Sequence, residues 1–111
     1  MQRITISENS VIEVINAEKE VYTGYINYNS SRQGWFLDLV SENFKIYGIR
    51  ITSSPNILRQ WQKKLGFGIC ILCEKMSEPF FWEDFNTERA KMYLLEPDDL
   101  ALQDVIYEKI Q

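Results

Sequence analysis

Few residues of this 111-residue chain have the types and spacing that chemistry needs. Cys70 and Cys73 form a C-x-x-C, the spacing of a redox pair or of half a zinc site. Their setting, GICILCEK, reads as a strand. Side chains three apart on a strand point to opposite faces, so the two thiols can neither close a bond nor share a metal, and they are expected to be inert. There is no His, so a zinc site lacks further ligands and no imidazole is present for general base work. Adjacent carboxylates occur at Glu83-Asp84 and Asp98-Asp99, a commonplace of loops and helix first turns. Asp38 stands alone among its strand neighbours, and no Ser or Cys sits in a nucleophile setting. The inventory predicts no enzyme activity, no metal and no cofactor.

Composition points to a small folded protein. Apolar residues make up 45% and aromatic residues 14%, enough for a core in one domain and too much for a disordered chain. The formal charge is −4, which opposes sequence-independent binding of phosphate backbones. It is uneven. Residues 1–73 carry eight basic and six acidic side chains, whereas residues 74–111 carry four basic and ten acidic. The acidic end is either a solvated surface or a face for a basic partner. The segment MQRITISENS has no apolar core of the signal-peptide kind, and no run approaches the roughly 18 apolar residues of a spanning helix. Synthesis in a cytosol, with no membrane and no nucleic-acid partner, is the expectation.

The elements that position these residues are mostly strands. Residues 21–51 alternate aromatic-rich β segments with turns, which predicts a three-stranded meander. Within it Tyr22, Ile26 and Tyr28 share one face, opposite Val21, Thr23 and Tyr25. Trp35, Leu37 and Leu39 line one face of the next strand, with Asp38 on the other. Gly34 and Asn43 are candidates for left-handed turn conformations. In 44–51 the apolar parity flips across Tyr47-Gly48, the signature of a bulge or sharp bend that curls a sheet toward a barrel. Strands are also expected over 3–7, 10–15, 68–74 and 90–95. A two-turn helix is expected over 57–64, with Asn56 as its cap and Gly66 as its stop. The fold class is mainly β: a curved antiparallel sheet or small β-barrel in a single domain over 1–97. A helical extension follows over 98–111, with Asp98 as a plausible N-cap and a helix near 99–110.

Two stretches remain as candidate partner-binding surfaces. Residues 75–89 have no clean period yet place Phe80, Phe81, Trp82 and Phe85 among Glu78, Glu83, Asp84 and Glu88. So long a loop either seals the open end of the sheet or meets another protein. The C-terminal helix carries Leu102, Val105, Ile106 and Ile110 on one stripe, and a helix this short must dock on its own domain or on a neighbour. A different reading is a binding module of OB type for single-stranded nucleic acid or a peptide, with Tyr22, Tyr25, Tyr28, Trp35 and Phe36 as a stacking platform. Only Arg32 lies close enough in sequence to supply charge.

The order of YINYNSSRQGWFLDLV (25–40), GIRI (48–51), PNILRQW (55–61), LGFG (65–68), EPFFWEDF (78–85) and MYLLEP (92–97) resembles the small baseplate plug proteins of contractile-tailed bacteriophages, relatives of tail-tube barrel domains. The resemblance covers about residues 10–97 and leaves residues 100–111 as an addition. It implies a structural virion component of the tail baseplate that assembles as a ring or plug, contacts hub and tube proteins, and has neither enzyme activity nor a cofactor.

Overall fold

The computed structural model describes residues 1–6, 10–74 and 77–110, the side chains of 106–110 excepted. Seven strands are present: β1 (Gln2–Ile4), β2 (Ser10–Ile15), β3 (Val21–Asn29), β4 (Gly34–Val40), β5 (Lys45–Arg50), β6 (Gly68–Cys73) and β7 (Ala90–Leu95). They form two antiparallel sheets, one ordered β2-β3-β4-β5 and the other β1-β7-β6. The meander over 21–51 is therefore realised, with β2 added in front. Of the two expected forms, a curved antiparallel sheet or a small barrel, a closed barrel is not formed. Among the described residues no strand of one sheet pairs with a strand of the other, and only the crossover after β5 is tied to β6, by a bridge between Ser54 and Ile71 and by the Ile57 N–H donating to the Ile69 carbonyl at 2.8 Å.

The core lies between the two layers. Tyr22, Ile26, Trp35, Leu37, Leu39 and Ile51 from one side meet Ile69, Ile71, Ala90 and Met92 from the other. The alternation in β3 and β4 holds: Tyr22, Ile26, Leu37 and Leu39 have no exposed surface, while Val21 and Tyr25 face outward. In β6 the apolar run is buried from Gly68 to Ile71, but Leu72 is exposed.

The parity flip in β5 is a bulge. Leu37 pairs with Ile49 and Leu39 with Ile46, so β5 holds one residue more than β4 between those pairs. Gly48 takes a φ of 71°, which a Cβ would oppose, and its N–H donates to Asp38 Oδ1 at 2.7 Å. The carboxylate of β4 is thus the bulge's hydrogen-bond acceptor.

Two turns differ from expectation. In the β3-β4 loop the left-handed residue is Gln33 (φ 50°), not Gly34. What lies against Gly34 is the Arg50 guanidinium, which a Cβ there would approach to 2.7 Å and displace. Asn43 is not left-handed either; the β4-β5 turn closes by the Ser41 N–H donating to the Phe44 carbonyl at 2.6 Å.

The helix expected over 57–64 is a 3-10 turn (Arg59–Trp61) followed by α1 (Gln62–Leu65), ended by Gly66. Asn56 does not cap it. Its buried amide oxygen accepts from Leu58 N–H at 2.9 Å and Ile69 N–H at 3.1 Å, and its amide nitrogen donates to Gln62 at 3.2 Å. Gly68 makes room for that amide, since a Cβ would come within 2.5 Å of it. At the C-terminal end α2 spans Pro97–Ile110 and places Asp98 and Asp99 in the first turn. Pro97 suits a first helical position, so Asp98 is inside the helix and does not cap it. Instead Asp99 accepts from the Glu96 N–H at 3.0 Å.

Candidate assembly surface

The loop between β6 and β7 is fixed from behind by backbone contacts. Arg89 donates to the Glu78 carbonyl at 3.2 and 3.3 Å and to Cys73 Sγ at 2.9 Å, joining the two ends of the loop. Glu78 accepts from the Ser53 N–H at 2.8 Å, and the Ser53 hydroxyl donates to the Ser77 carbonyl. A 3-10 turn over Trp82–Asp84 follows, in which the buried Asp84 carboxylate accepts from the Phe81 N–H at 2.8 Å and lies 3.7 Å from Arg89. Asp84 is therefore structural, and Glu83 beside it is exposed. The adjacent acids do not converge on one site.

Two aromatic side chains of the large sheet reach the same loop. Tyr28 donates its hydroxyl to the Phe80 carbonyl at 2.7 Å, and Trp35 Nε1 donates to the Phe81 carbonyl at 3.1 Å. Buried or half-buried Tyr and Trp need a partner for their polar ends, and the loop backbone provides it. The result is an anchored lip. Phe80, Phe81 and Trp82 are 42%, 56% and 42% exposed. Arg50 lies 5.9 Å from the Phe80 ring centre and Arg89 6.0 Å from that of Phe81.

Phe85 is placed differently from the three rings with which it was grouped. It is 8% exposed and meets Trp35 edge-on at 5.2 Å, so it belongs to the core. On α2, Leu102 and Val105 are exposed, and the side chain of Ile106 lies outside the described residues. The helix is seated by a residue outside that stripe, Leu100, which packs on Cys70 and Leu95. Gln103 donates to the Pro55 carbonyl at 3.1 Å, and Asp104 accepts from Gln62 at 3.1 Å. Leu100 was legible only as one more apolar residue in a helical segment.

Both cysteines are free. Cys70 is buried beneath α2, and its burial pushes the thiol pKa up; Cys73 is half-buried against the main core. Among the described residues no His, Cys, Asp and Glu cluster has metal-binding geometry, and no helix is long and apolar enough to cross a membrane.

The rings of the proposed stacking platform do not share an open face. Tyr22 and Trp35 are in the core, and Phe36 is covered by the Arg32 guanidinium at 4.2 Å and by Arg50 at 5.3 Å. Only Tyr25 stands well exposed.

A comparison with characterised proteins returns no match. The family model described as the cyanophage baseplate Pam3 plug gp18 matches residues 1–97, a span that includes all seven strands and the aromatic lip. The chain belongs to this phage baseplate plug family.

Proposed function

We propose that the chain works by assembly, as the plug of a contractile-type tail: copies of it join into a closed ring that seats against hub and tube proteins through the lip of Phe80, Phe81 and Trp82. Membership of the plug family makes it a structural protein of the phage tail baseplate. The observation that supports the finer reading is the anchored exposure of those three rings. Large apolar side chains held in water by a rigid backbone are costly to display and gain from being covered, and aromatic residues are enriched at the centres of interfaces. The exposed face of α2, with Leu102 and Val105, is a second surface for such contacts.

The test is complementation of a phage that lacks the gene. With the wild-type gene, purified particles should carry the chain at the tail end, detected by antibody. The Phe81→Ala, Trp82→Ala double variant should keep its melting temperature and fail to enter particles. Particles that lack the wild-type chain, or that take up the lip variant as readily, would overturn the reading.

A further inference from the structure

The four-stranded sheet has two edges of opposite character. Among the described residues β2 pairs only with β3 and β5 only with β4. Edge strands are normally guarded by Lys, Pro, bulges or covering loops. β5 is guarded over its second half, where the Gly48 bulge turns the strand and Arg50 folds back over Phe36. Ahead of the bulge Lys45 and Ile46 pair regularly with Val40 and Leu39, and the exposed Lys45 is the one guard on that stretch; Tyr47, at the bulge, is exposed too. β2 has no Lys, no Pro and no bulge, and its outer face shows Val11 and Ile15, both 61% exposed, on either side of Glu13.

We infer that the β2 edge of one copy pairs with the first half of the β5 edge of a second copy, continuing the sheet from subunit to subunit. Direction permits it. Strands alternate along β2-β3-β4-β5, so β2 and β5 run oppositely, and a neighbour rotated about an axis along the strands presents β2 antiparallel to β5. Register then follows from side-chain parity. Glu13 points outward on β2, and so does Lys45 on β5, across from Val40. A single register sets Glu13 opposite Lys45. It also sets Val11 opposite Tyr47 and, on the inner face, Ile12 opposite Ile46 and Val14 opposite Phe44. Opposite charges and aromatic with β-branched residues are favourable cross-strand pairs. A two-fold pairing of β2 with itself gives Glu13 no basic partner: centred on Glu13 it opposes two like charges, and centred on Ile12 it sets Glu13 against Val11. The occupant is therefore a second copy joined head to tail, which closes into a ring if the rotation closes.

This inference rests on the reading of the chain as a self-assembling part, and the test separates the two. Native mass spectrometry of the full chain should show a closed oligomer. Glu13→Lys or Lys45→Glu alone should raise the dissociation constant of each contact about tenfold, and the two together should restore it. Both side chains are exposed, so the fold should hold, as an unchanged melting temperature would verify. In addition, Glu13→Cys with Lys45→Cys and Cys73→Ser should give a ladder of linked copies under mild oxidation. Within one copy the two positions lie three strand spacings apart, about 14 Å, too far for a disulfide. A wild-type oligomer indifferent to both charge reversals and without a ladder would overturn the edge pairing while leaving assembly intact. A wild-type chain that stays monomeric at every concentration would overturn both.

Discussion

Phe81 and Phe85 stand four residues apart in one loop, share one side-chain chemistry, and end in opposite surroundings. Phe81 is the most exposed ring of the lip, and Phe85 closes the core against Trp35. What separates them is backbone. The Trp82–Asp84 turn, held by the Asp84 carboxylate on the Phe81 N–H, reverses the chain between the two. Meanwhile the Trp35 indole and the Tyr28 hydroxyl grip carbonyls and leave the Phe80 and Phe81 rings outside. Aromatic content alone says nothing about which side of a loop a ring takes. The polar atoms beside it decide.

Four substitutions or conditions test this contrast. The largest effect belongs to Phe85→Ala, which empties a buried ring site and should cost about 3 kcal/mol in urea unfolding. Next comes Trp35→Phe, which keeps an aromatic ring but removes the donor to the Phe81 carbonyl. A loss of about 1–3 kcal/mol is expected, with faster amide exchange over residues 80–84. Phe81→Ala with Trp82→Ala should change stability by less than about 0.5 kcal/mol, as exposed substitutions do. A loss equal to that of Phe85→Ala would erase the contrast and put the lip in the core.

The smallest effect is one of pH at the far end of the loop. A hydrogen bond from Arg3 at 2.6 Å, with the charges of Arg3 and Lys91, holds the exposed Glu88 carboxyl below its ordinary pKa. A lowered folded value contributes stability above the ordinary carboxylate range, and that contribution is lost as pH falls through the lowered value. The protection of β1 amides, corrected for the intrinsic pH dependence of exchange, should therefore fall as pH drops below the ordinary carboxylate range, and Glu88→Gln should remove this dependence.

The strands were legible because their signal is local. Period-two alternation in 21–28 and 35–39 assigned faces correctly, and the parity flip at Tyr47-Gly48 located the bulge. What escaped depends on residues far apart in sequence. Gly34 looks like a turn glycine until Arg50 is found against it. Two sheets and a barrel share the same strands, and what distinguishes them is the missing pairing between β1 and β2 and between β5 and β6. The lip's three exposed rings were picked out as candidates, but Phe85 was grouped with them because inward and outward rings have the same one-letter pattern. The seat of α2 escaped for a related reason: Leu100 lies on a different face of the helix from the apolar stripe that the helical period draws.

The contact between Asn56 and Gly68 constrains how this sequence can drift. An alanine at Gly68 would evict the amide that holds Leu58 and Ile69, while a shorter residue at Asn56 would leave those two N–H groups without their acceptor and remove the reason for the glycine. The two positions should therefore change only as a couple. Relatives that lack one member should lack the other, and a chain that changed both together would need a new fastening between the 53–58 crossover and the second sheet.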